Sequence, residues 1–108
     1  MSTKTAINLE AMTSSAERAG AFLRVLGHPN RLMLLCHLLE REACVAELEK
    51  ASGITQPTLS QQLGILRGAG LVETRRDGKQ IFYRIASDDA VALIELLQRR
   101  FCTANQES

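Results

Sequence analysis

The chain has 108 residues, 45% apolar and 23% charged, with a formal net charge of +1. That length fits one domain and leaves no room for two, and the apolar share excludes a disordered tail. No apolar run approaches the roughly 18 residues of a membrane span, and Met-Ser-Thr-Lys-Thr leads into no signal core, so a cytoplasmic protein is expected. Three cysteines (Cys36, Cys44 and Cys102) are too few and too scattered for a disulfide scaffold. In a cytosolic setting a disulfide between any of them would be conditional. Two histidines, one tyrosine and no Cys-x-x-Cys pair argue against an enzyme, and neither a cofactor nor a metal is expected.

Residues 1–12 read as a flexible N-terminal segment, 13–102 as the folded domain and 103–108 as a polar tail. From Ala16 the pattern turns helical, with Ala19, Phe22, Leu23 and Leu26 on one face. Gly27-His28-Pro29-Asn30 breaks that helix and starts another, carrying Leu32, Leu35, Cys36 and Leu39. A third helix runs from Val45 to about Ala51 and stops at Gly53. The fourth runs from Thr55 to Arg67, with Pro57 in its first turn and Leu59, Leu63 and Leu66 as its inner stripe. It ends near Gly68-Ala69-Gly70. The period then changes to two: Leu71 to Arg76 and Gln80 to Ile85 flank Asp77-Gly78, a type I′ hairpin pair. Ser87 with Asp88 and Asp89 opens a last helix that reaches about Cys102. The expected fold is mostly α with a small β-hairpin wing, in the order α-α-α-α-β-β-α. That is a winged helix-turn-helix.

The fourth helix turns Gln61 away from its leucine stripe, with Thr58 and Ser60 beside it, Gln56 at the tip and Gln62 adjoining. Amides and hydroxyls of this kind read base edges in the major groove, and no carboxylate on the helix repels phosphate. Residues 55–86 hold five basic groups (Arg67, Arg75, Arg76, Lys79, Arg84) and two acidic ones, while the rest of the chain is net negative. Positive charge therefore gathers on this helix and the wing, where Arg67, Arg75, Arg76 and Lys79 are expected to meet the phosphates of double-stranded DNA. The same hairpin pattern also protects a sheet edge. One small domain neutralises few phosphates, so a homodimer on a two-fold operator is expected. Val91, Leu93, Ile94, Leu96, Leu97 and Phe101 cover more than one face of the last helix, which with the first helix gives the expected dimer surface.

Leu26-Gly-His-Pro-Asn-Arg-Leu32, Gln56-Pro-Thr-Leu-Ser-Gln-Gln-Leu63 and Leu66-Arg-Gly-Ala-Gly-Leu-Val72, followed by the wing, resemble the ArsR/SmtB family of bacterial transcriptional repressors over about residues 16–102. Arg31-Leu-Met-Leu-Leu-Cys36 and Phe101-Cys102 are similar to the biofilm growth-associated repressor group of sulfide-responsive regulators. The resemblance implies a homodimer that represses sulfur-detoxification genes. It also implies release from DNA when reactive sulfur species link Cys36 and Cys102 by a disulfide or polysulfide bridge. Read without the resemblance, Cys36 on an apolar stripe is a small hydrophobe, and which thiol attacks first is open.

Cys44 departs from the pattern. Arsenite-sensing relatives have Cys-Val-Cys-Asp-Leu there, and Ala46 replaces the second thiol. A metalloid-sensing repressor is the alternative, with a trithiol site if Cys36, Cys44 and Cys102 converge. His28 reads as structural, and His37 is expected on the exposed side of its helix.

Overall fold

The computed structural model describes residues 6–102. The first five residues and the tail 103–108 lie outside the described residues. Helix α1 spans Leu9–Leu26 and so begins earlier than the Ala16 onset read from apolar spacing; residues 9–12 of the N-terminal segment are helical. The cause is a cap: the Asn8 side chain accepts a hydrogen bond from the Ala11 N–H at 3.0 Å, and Glu10 stands at the positive end of the helix. Helix α2 spans Pro29–Glu40. His28 is its N-cap, with Nδ1 accepting from the Asn30 N–H at 3.1 Å, so the structural role expected of this histidine holds.

Ala43–Cys44 forms a short strand, β1, where the sequence reading had none. A strand of this length has no periodicity to read. It exists because Ala43 pairs with Tyr83 and Cys44 with Phe82 on a distant strand. The element order is therefore α-α-β-α-α-β-β-α, with a three-stranded antiparallel sheet ordered β1-β3-β2. Helix α3 (Val45–Ser52) ends where Gly53 takes φ 76°, a left-handed conformation that glycine adopts without strain. Helix α4 spans Thr58–Gly68, so Thr55 and Gln56 lie in the turn before it and Pro57 is its N-cap. Leu59, Leu63 and Leu66 are all buried, as the stripe requires.

Strands β2 (Val72–Asp77) and β3 (Gln80–Ile85) pair with Asp77 opposite Gln80. The connecting pair is thus Gly78-Lys79, one residue later than the Asp77-Gly78 read from sequence. Of these two residues only Gly78 has a positive φ, 67°. Positive φ at the first central position alone fits a type II′ turn and not type I′. Ile81 stands exposed near the tip, while Tyr83 and Ile85 pack on the core.

Helix α5 spans Asp88–Phe101, capped by Ser87 Oγ, which accepts from the Ala90 N–H at 3.0 Å. Ser87→Ala is expected to cost about 1 kcal/mol, read as a lower urea midpoint at unchanged slope. A midpoint equal to that of the unsubstituted protein would show that the cap contributes nothing. α2 lies at the centre of the fold: it packs on α1, α3, α4, α5 and β3, with Leu34, Leu35 and Leu38 buried.

Candidate nucleic-acid interface and thiol site

The leucine stripe seats α4 with its polar face outward. Ser60 and Gln61 are exposed and Thr58 is half-buried. The three glutamines differ. Gln56 Oε1 accepts from the Ser60 N–H at 2.9 Å, so it caps the helix that Pro57 cannot cap. Gln62 Oε1 accepts from Arg31 Nη1 at 2.9 Å. Among the described residues nothing bonds either end of the Gln61 amide, the arrangement a bidentate contact to adenine needs. Arg31 also donates from Nε to the Val25 carbonyl at 2.6 Å and from Nη2 to the Arg24 carbonyl at 3.2 Å. It closes the last turn of α1 and fixes Gln62 in the same act. Arg31 sits inside a motif read from the sequence, but a bond to a residue 31 positions away leaves no local signal.

Arg67 in the last turn of α4 and Arg76 and Lys79 in the wing are exposed, and none of them pairs with a carboxylate among the described residues. Arg76 Nε reaches only the Gly78 carbonyl, at 3.3 Å. Arg75, expected from the sequence to meet phosphate, is already paired with a carboxylate. Its Nε and Nη2 donate to the two oxygens of Glu42 at 2.8 and 3.0 Å, and its guanidinium lies 4.8 Å from the centroid of the Phe82 ring. The Arg75 hydrogen bonds hold the Glu42 carboxyl below its ordinary range. Arg84 is paired with Glu73 at 2.6 Å.

On the other side of α2 lies a cavity of about 740 Å³ between α2 and α5. Cys36 and Cys102 both line it, with Leu32, Leu97 and Phe101 among its apolar walls. All three cysteines are free thiols. Cys36 is half-buried, and burial pushes its thiol pKa up; the charge that a Cys102 thiolate places nearby adds to the effect. Cys102 is exposed at the C-cap of α5, after Arg99 and Arg100. His37, expected on the exposed side of its helix, is half-buried and lines this cavity. Cys44 does not: it is buried at the start of α3, its N–H donating to Glu47 Oε1 at 3.0 Å. The three thiols do not converge, and among the described residues no group of three or more His, Cys, Asp or Glu side chains could hold a metal ion. The trithiol site conditional on their convergence is not formed.

A helix seated by buried leucines, a basic hairpin beside it and a helical core around α2 define a winged helix-turn-helix regulator. Residues 28–74 match the family model of bacterial regulatory proteins of the arsR family, and the chain belongs to that family. It is 53% identical over 100 residues to the biofilm growth-associated repressor of Agrobacterium fabrum, covering 93% of this chain and 86% of that protein. The crystal structure of the transcriptional repressor BigR from Xylella fastidiosa superposes with a TM-score of 0.83 at 50% identity, covering 90% of this chain and 99% of that one. A homodimeric winged helix-turn-helix DNA-binding domain from Mycobacterium bovis superposes with a TM-score of 0.71 at 30% identity, covering 91% of this chain and 87% of that one. No helix among the described residues is long and apolar enough to cross a membrane.

Proposed function

We propose that this chain is a homodimeric repressor that binds double-stranded operator DNA and lets go when Cys36 and Cys102 are linked. The contacts divide by chemistry. Gln61, Thr58 and Ser60 address base edges, with the amide groups of Gln56 and Gln62 in support. Arg67, Arg76 and Lys79 address phosphates. Dimerisation through α1 and α5 is supported by the apolar side chains these helices leave exposed: Ile7 just before α1, Leu9, Met12 and Leu23 on it, and Leu96 and Phe101 on α5. The relatives named above as repressors and as a homodimer point the same way.

The observation that carries the switch is that both thiols line one cavity, Cys36 from α2 and Cys102 from the end of α5. The inducer is a reactive sulfur species, and the controlled genes are those of sulfide detoxification. Cys102, exposed, attacks the sulfane sulfur of a persulfide RSSH as thiolate, breaking its S–S bond and releasing RSH. Cys36 then attacks Sγ of the resulting Cys102 persulfide, breaking its S–S bond and expelling hydrogen sulfide. Two thiols and one RSSH thus yield one disulfide, RSH and H2S. A direct bridge needs Cα atoms about 4.4–6.8 Å apart, and a longer sulfur chain relaxes that limit.

The test is fluorescence anisotropy with the duplex upstream of the chain's own gene. Binding should exceed that to random duplex and fall after persulfide treatment, while non-reducing mass analysis shows a Cys36–Cys102 link. Equal binding to both duplexes, or release without that link, refutes the proposal. Gln61→Ala should weaken operator binding by about 1–3 kcal/mol and leave binding to random duplex unchanged. Equal losses on both duplexes would mean that Gln61 touches backbone, not bases.

A further inference from the structure

The basic side chains of the interface fall into two sets. Arg67, Arg76 and Lys79 point to solvent without an anion; Arg75 and Arg84 are each held by a carboxylate. Arg84 and its partner Glu73 are opposite each other within the hairpin, an ordinary cross-strand pair. Arg75 is different. Its partner lies 33 residues away, in the loop between α2 and β1. Glu42 takes the guanidinium fork with both oxygens, Asp77 adds a longer contact at 3.8 Å, and the Phe82 ring supports the group from its face. Isolated surface ion pairs contribute little, but a two-pronged arginine–carboxylate pair stacked on a ring has the geometry that fixes a side chain in place.

We propose that Glu42 is a positioning residue that withholds Arg75 from the DNA phosphates and so sets how many phosphates each subunit neutralises. The inference rests on the wing reading given above. A phosphate that captured Arg75 would have to displace the Glu42 carboxylate and leave that anion unpaired beside a polyanion. The exchange replaces one anionic partner with another and adds a repulsion, so Arg75 stays where it is. Phosphate contacts supply grip without sequence information. A regulator that must leave its operator on a signal benefits from a grip held below its maximum.

Salt dependence reads the number of neutralised phosphates directly, with a slope of about −0.9 per phosphate in log affinity against log salt. Four proteins are compared on a random-sequence duplex: unsubstituted, Glu42→Gln, Arg75→Met and the double variant. Arg75→Met alone should leave the slope unchanged, because the arginine contacts no phosphate. Glu42→Gln should steepen it by about 0.9 per subunit. The double variant should return to the original slope, which separates a released arginine from the mere loss of a negative charge.

A flatter slope for Arg75→Met, an unchanged slope for Glu42→Gln, or a gain that survives in the double variant each overturns the proposal. Arg76→Met is the control for the wing and should flatten the slope in every background. If it does not, the wing is off the DNA, and both the wing reading and this inference fail. Thermal melting of each variant confirms folding, and Arg75→Gln replaces the methionine variant if that one does not fold.

Discussion

A Cys36→Ser protein should grip its operator as tightly after persulfide treatment as before, whereas the unsubstituted protein should lose about 100-fold in affinity, near the upper end of ordinary allosteric coupling. The expectation follows from where the two thiols sit. Cys36 is on α2, whose N-terminal Arg31 fixes Gln62 of α4 and whose C-terminal end leads to Glu42 and β1 under the wing. Cys102 ends α5, the helix whose exposed apolar face is the proposed dimer surface. A covalent link between them would couple the helix that holds the proposed DNA-contacting elements to the helix of the proposed dimer surface. Cys102→Ser should behave like Cys36→Ser. Cys44→Ser should respond normally, since Cys44 lies outside the cavity. In the reduced protein iodoacetamide should modify Cys102 before Cys36, whose thiolate is disfavoured by burial. A Cys36→Ser protein that still dissociates on treatment would remove the switch from the account and leave the repressor.

Leu59→Ala is expected to cost about 2–5 kcal/mol of folding stability, a large part of the roughly 5–15 kcal/mol of a typical domain. Leu59 has no measurable exposure, and its helix has little else to hold it. An isolated helix of the 11 residues of α4 is marginal in water, and its N-cap Pro57 offers no side-chain hydrogen bond. The seat is the stripe of Leu59, Leu63 and Leu66, and truncating its first member leaves a void under the proposed base-reading residues. Urea unfolding should show the loss, and the operator should partly restore stability by binding only the folded form. Ile65→Ala, at a site 42% exposed on the same helix, should change stability far less. Equal losses at the two positions would mean that the stripe is not the seat.

Much of this was readable in the sequence because it is written in short-range patterns. The α4 stripe, the Gly53 stop, the Ser87 cap and the two hairpin strands each depend on residues within a turn or two of one another. What escaped depends on partners far along the chain. β1 is too short to carry a period and exists only because β3 offers it hydrogen bonds. The register of the wing slipped by one because Asp77-Gly78 fits a familiar turn, while the pairing of Asp77 with Gln80 places Gly78-Lys79 at the corner. The residues predicted to meet DNA lie on α4 and the wing, except Gln56 in the turn before α4, but composition could not show that Arg75 is already spoken for by Glu42, or that Arg31 occupies the oxygen of Gln62. The early start of α1 was within reach, since Asn8 and Glu10 form a start signal that apolar spacing alone overlooks.

The sheet order leaves β2 as an outer strand with an unsatisfied rim, the kind of border along which proteins stack into fibres. Here that border is short, and Glu73, Arg75, Arg76 and Asp77 stud it with charge of both signs. Concentrated solutions of the protein should therefore resist strand-by-strand aggregation from this border.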